Sequence, residues 1–96
     1  MAAFVRVTMS DCTPGTTGSY VDIDAVTDHG VDADATGVWV RNYLDSGTLR
    51  SFDVRKNGST DEFYDDQYDY CHAIAYVGLD ANGIFEAKIE STDLKL

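Results

Sequence analysis

The stretch 70–90 constrains this chain more than any other. It reads YCHAIAYVG, LDANG and IFEAKIE, so two alternating apolar runs flank Asp80-Ala81-Asn82-Gly83. Asp and Asn side chains accept the hydrogen bonds of a tight turn, and Gly83 can take the positive φ such a turn needs. Cys71, Ala73, Ala75, Val77 and Leu79 fall on one face of the first run. Phe85, Ala87 and Ile89 fall on one face of the second, with Glu86, Lys88 and Glu90 opposite. The pattern predicts an antiparallel hairpin with a single inner face.

The same period of two recurs along the chain. Segment 4–9 (FVRVTM) reads as a half-buried strand, and 10–19, with its Pro14-Gly15 pair, as a loop. In 20–26, Val21, Ile23 and Ala25 alternate with Tyr20, Asp22 and Asp24. An aspartate pair on that outer face implies solvent or a cation there. Segment 27–36 is a polar, acidic loop. Segment 37–44 (GVWVRNYL) is a strand with Val38 and Val40 inward and Trp39, Arg41 and Tyr43 outward. Asp45-Ser46-Gly47 reads as a hairpin turn into 49–55, where Phe52 and Val54 point in and Ser51, Asp53 and Arg55 point out. Lys56-Asn57-Gly58-Ser59 turns the chain again. Phe63 and Tyr64 suggest a short strand inside the otherwise acidic loop 60–69. Segment 91–96 begins one more alternating run that is either cut short or completed by another subunit, and an open edge there favours an oligomer.

No segment carries the i, i+3, i+4, i+7 apolar stripe of a helix. The expectation is one all-β domain spanning 1–96: an antiparallel β-sandwich, jelly-roll-like, with 7–8 short strands. The immunoglobulin variant is disfavoured, because Asp69 stands two residues before Cys71 where a tyrosine is expected.

Charge narrows the function classes. Seventeen acidic residues against seven basic ones give a net charge of −10. Such a chain lacks the clustered Lys and Arg that coat a phosphate backbone or an anionic membrane. The acidity serves solubility, salt tolerance or attraction to a basic partner. No basic stretch followed by an apolar run marks a signal peptide, and no run reaches membrane-spanning length. Cys12 and Cys71 are too few for a disulfide framework and read as small buried thiols, with one disulfide between them as the alternative.

Catalytic patterns are missing. There is no G-x-S-x-G, no H-E-x-x-H and no glycine-rich phosphate loop leading into a helix. Asp32-Ala33-Asp34-Ala35-Thr36-Gly37 matches the first half of a calcium loop, but Tyr43 stands where the bidentate Glu belongs. The cluster Asp61, Glu62, Asp65, Asp66 and Asp69 reads as a solvated acidic loop. Neither His29 nor His72 has a second nitrogen or sulfur ligand at metal spacing. The expectation is therefore no enzyme, no cofactor and no metal.

Outward aromatics remain. Trp39, Arg41 and Tyr43 share one strand face; Tyr70, His72, Ile74 and Tyr76 share another. Trp, Tyr and Arg concentrate in the centres of protein interfaces. The same residues would also suit a second covered layer or a platform for a sugar ring. Trp39, Arg41, Tyr43, Tyr70, His72 and Tyr76 are the candidate partner or ligand face.

Three stretches, 37–42 (GVWVRN), 54–61 (VRKNGSTD) and 77–90 (VGLDANGIFEAKIE), resemble small β-sandwich modules in virion proteins of tailed phages and environmental viruses. These are capsid decoration proteins and fibre modules. The resemblance implies a structural protein at a particle surface, made in the host cytoplasm. Its partners would be other virion proteins and further copies of itself, not nucleic acid or membrane. It carries over no active-site residue. A carbohydrate-binding module, with Trp39 and Tyr43 as its platform, is the alternative.

Overall fold

Alternating side chains on extended backbone build two antiparallel sheets in the computed structural model, which describes residues 11–44, 50–60, 65–67, 72–91 and 94–96. In chain order the elements are β1 (Val21–Asp24), a one-turn helix α1 (Ala25–His29), β2 (Gly37–Leu44), β3 (Arg50–Lys56), β4 (Asp65–Gln67), β5 (His72–Gly78), β6 (Ile84–Ile89) and β7 (Leu94–Lys95). One sheet runs β1-β6-β3-β4 and the other β5-β2-β7. The all-β expectation holds. Five strands of four or more residues carry the sheets, while β4 and β7 add three and two residues at their edges.

The inward residues of both sheets share one core. Ile23, Phe52, Phe85, Ala87 and Ile89 enter it from one side, Val40 and Val77 from the other, with Leu79 and Leu96 between. Phe52, Phe85 and Ile89 are almost completely buried. Asn42 follows Val38 and Val40 in inward parity and is also fully buried. The core's lower corner is closed where the Cys12 N–H donates to the Leu96 carbonyl at 3.0 Å and the Leu96 N–H to Thr13 Oγ1 at 2.9 Å.

Three connections differ from the sequence expectation. The runs around Asp80-Ala81-Asn82-Gly83 do not pair as a hairpin. β5 bonds to β2, and β6 bonds to β1 and β3. The turn takes the chain from one sheet to the other, and Val77 and Leu79 of the first run and Phe85, Ala87 and Ile89 of the second keep their predicted inward side because both runs feed one core. Likewise 45–47 does not join a hairpin, since β2 and β3 lie in different sheets; the turn residues themselves fall outside the described set. The strand expected over 20–26 stops at Asp24, whose side chain caps α1 by accepting the Thr27 N–H at 2.9 Å. Gly30, at φ 71°, closes that helix in the left-handed conformation.

β4 lies at 65–67, where an acidic loop was expected; Phe63 and Tyr64 lie outside the described residues, as does 4–9. Lys56-Asn57-Gly58-Ser59 forms its turn, with the Ser59 N–H donating to the Lys56 carbonyl at 2.9 Å.

The crossover turn is held by Asp80. Its carboxylate accepts from the Asn82 N–H at 2.8 Å, the Ile84 N–H at 3.0 Å and Asn57 Nδ2 at 2.8 Å. These bonds, Asn57 first, hold its pKa below the usual aspartate value. Gly83 sits at φ 79°, and a Cβ there would collide with Val26 of α1. Gly58 has a similar φ of 87° but open space around it. Gly58→Ala should therefore cost only the backbone penalty, about 1 kcal/mol, whereas Gly83→Ala adds overpacking and should cost roughly 2–4 kcal/mol. Urea unfolding of the two variants measures the difference; equal losses would show that Val26 yields without cost.

Candidate functional site

The register of β2 against β5 assembles the candidate face. Trp39 lies opposite Tyr76, Arg41 opposite Ile74 and Tyr43 opposite His72. Residues directly opposite in an antiparallel pair project to the same side, so two strands distant in sequence merge into one stripe. That stripe is not roofed. Trp39 is 56% exposed, Tyr76 58%, Ile74 65% and Tyr43 39%. Ile74, on the outer face but not among the candidate residues chosen from sequence, is the most exposed large apolar residue among those described. Tyr70 lies outside the described residues, and of His72 only the backbone position is described.

Local chemistry arranges the rings. Trp39 and Tyr76 meet edge to face, with centroids 5.2 Å apart and planes at 63°. Tyr76 lies over Gly37, where any Cβ would collide with its ring and hydroxyl. Gly37 thus provides the bare backbone on which Tyr76 rests, a role that sequence alone missed. An aromatic laid across a strand glycine is a known way to protect that glycine's backbone.

The other outer face is built differently. Asp53 and Glu86 were expected to face solvent, yet they are 3% and 8% exposed. Tyr20 covers them. Its hydroxyl donates to Asp53 Oδ2 at 2.5 Å, and the Arg55 guanidinium stacks on its ring at 3.4 Å, with Lys88 Nζ at 5.2 Å. Arg55 donates to Glu86 Oε1 through Nη2 at 3.0 Å and Nε at 3.2 Å, and the Gly58 N–H donates to Glu86 Oε2 at 3.1 Å. Each buried carboxylate is met by a cation or a donor, which offsets its desolvation. This is a sealed structural network.

The other polar groups singled out in sequence are dispersed. Asp32 accepts the Asp34 N–H at 2.8 Å, an Asx turn within the calcium-like loop. Among the described residues no three His, Cys, Asp or Glu side chains converge as metal ligands. His29 ends α1. Cys12 is a free thiol packed against the core. Burial, and then Asp11, push its pKa up to about 11. No helix among the described residues is long and apolar enough to cross a membrane. No protein family, curated protein or solved structure matches this chain.

Two expectations separate these features. Tyr20→Phe removes a hydrogen bond to a buried carboxylate and should cost about 1.5–3 kcal/mol, while Trp39→Ala should cost about 1 kcal/mol, its ring contact alone; chemical denaturation reads both. The Cys12 thiol binds its proton more tightly in the folded chain than in the unfolded one. Its contribution to stability is complete below its ordinary value of 9.0 and is lost as pH rises through about 11. Melting temperature should fall over that window less steeply in Cys12→Ala than in the parent; parallel curves would exclude the thiol as the cause.

Proposed function

We propose that this chain is a non-enzymatic structural subunit of a viral particle, of the capsid decoration or fibre kind, acting through protein–protein contacts. The observation that carries the contact role is the exposed stripe of Trp39, Tyr43, Ile74 and Tyr76 on a sheet whose other side is packed core. Large apolar residues gathered on one rigid face, beside Arg41, have the composition of an interface centre. Contacts of this kind need neither cofactor nor metal.

We read the two sheets as a sandwich of jelly-roll type. Every connection between consecutive strands changes sheet except β3 to β4, and the orders β1-β6-β3-β4 and β5-β2-β7 are those of a jelly roll without its first strand. The alternating run 4–9 is the sequence candidate for that strand. The viral assignment rests on the resemblance of 37–42, 54–61 and 77–90 to virion modules, together with this strand order. An acidic surface suits a subunit bathed in salt and water.

The carbohydrate reading has one observation in its favour. The Trp39 and Tyr76 rings form a corner, and an exposed indole beside a second ring can stack one face of a sugar.

Density-gradient particles from a culture carrying this sequence test the proposal. The chain should sediment with nuclease-resistant particles, and Trp39→Glu should stay in the supernatant while remaining folded by circular dichroism, with a stability loss of about 1 kcal/mol from the ring contact. Recovery of the parent chain only in the supernatant would overturn the particle role. Micromolar binding to an arrayed glycan, lost in Trp39→Ala, would move the assignment to the sugar module.

A further inference from the structure

β5 combines features that no other strand here shares. It sits at the end of its sheet and bonds only to β2 among the described residues. A sheet edge offers a row of backbone donors and acceptors to any strand that can reach it, and proteins usually blunt such edges with charge or proline. The other edges here are charged: β1 carries Asp22 and Asp24, β4 carries Asp65 and Asp66, and β7 carries Lys95. β5, His-Ala-Ile-Ala-Tyr-Val-Gly, carries no acidic residue, lysine, arginine or proline. In a chain of net charge −10, it is the edge along which two copies can approach without setting carboxylate against carboxylate.

We propose that β5 pairs with β5 of a second copy, antiparallel and about a two-fold axis at Ala75, joining two sheets edge to edge. This deepens the contact role proposed above and rests on it. Facing residues in an antiparallel pair share a side, so a two-fold axis must bring some residue opposite its own copy. Centring on Ala75 aligns all seven residues of the strand. It sets a small side chain at the axis, Ala73 opposite Val77 on the inner side, and Ile74 opposite Tyr76 on the outer side. Aromatic against β-branched is a favourable cross-strand pair. The exposed side chains of Ile74 and Tyr76 would be covered in part, and the Trp39 and Tyr43 stripes of both copies would become one continuous surface. Isologous β-strand addition of this kind is a common route to symmetric dimers.

Sedimentation equilibrium over a wide concentration range tests the pairing on the intact chain. A monomer–dimer equilibrium is expected, tightening as salt rises from about 0.01 M to about 1 M, where screening shortens from ~30 Å to ~3 Å and relieves repulsion between acidic copies. Ile74→Lys, at an exposed position, should weaken the dimer at least ~10-fold and leave the monomer's circular dichroism and melting unchanged. Register is read by mild oxidation. A mixture of Ile74→Cys and Tyr76→Cys chains should cross-link faster than either alone, with the parent chain and its Cys12 and Cys71 as control.

A monomer at every concentration and salt would overturn the pairing, as would a dimer indifferent to Ile74→Lys. Faster cross-linking of Ile74→Cys with itself would overturn the Ala75 axis. These failures are distinct from failure of the particle role, which is read by sedimentation with particles: a monomer that still sediments with them would remove only the self-pairing.

Discussion

Asp80 is the joint on which the two sheets depend. It accepts two backbone N–H groups of its own turn and the Asn57 side chain from the turn after β3. A charged acceptor bound by three donors is a strong local restraint. It acts where the chain leaves one layer and enters the other, between Leu79 and Phe85, both buried. The Ala25 N–H donates to the Gly83 carbonyl at 2.9 Å, so the helical turn α1 docks against the same point. Three elements distant in sequence thus meet at one carboxylate and one glycine. With the crossing fixed there, β5 and β6 turn their apolar faces toward each other across the core instead of lying side by side.

The two outer faces then take opposite solutions to one problem. A sheet that packs on a core with one side leaves its other side to be covered or exposed. On the β1-β6-β3-β4 sheet the outer positions include Arg55, Glu86, Asp53 and Lys88; Tyr20 packs on Arg55, Lys88 and Asp53, and Arg55 pairs with Glu86. Buried charges confer little net stability when paired and cost several kcal/mol when a partner is removed, so this face tolerates little change. On the β5-β2-β7 sheet Trp39, Tyr43, Ile74 and Tyr76 stand on the outer face beside Arg41 and remain in contact with water. Part of that face packs on itself, with Tyr76 resting on Gly37 and against Trp39, while Tyr43 and Ile74 stand outside the core.

Much of this was legible in the alternation. β2 was read to the residue, and β3, β5 and β6 to within a residue or two at either end, because their inward residues recur with period two. The outward stripe Trp39, Arg41, Tyr43 followed from the same parity. Pairing was not legible. Alternation tells which face is apolar and does not tell which strand lies alongside, and an Asp-x-Asn-Gly turn serves a crossover between layers as well as it serves a hairpin. That the two aromatic stripes would merge depends on β2 bonding to β5, a contact separated by the whole of β3 and β4. α1 was too short for helical periodicity; its signals were its caps, Asp24 and Gly30. The burial of Asp53 and Glu86 was hidden because their partners, Tyr20 before β1 for one and Arg55 with the Gly58 N–H for the other, leave no periodic mark.

The acidity gains a structural meaning from this layout. The exposed carboxylates of Asp22, Asp28, Asp32 and Asp34 lie on the edge strand β1, on α1 and on its following loop. Exposed aromatics invite indiscriminate association, and like charge opposes it at every approach that does not form specific contacts. A contact must then gain more from shape and backbone pairing than it loses to repulsion. A net charge of −10 thus raises the threshold that any association through the exposed face would have to pass.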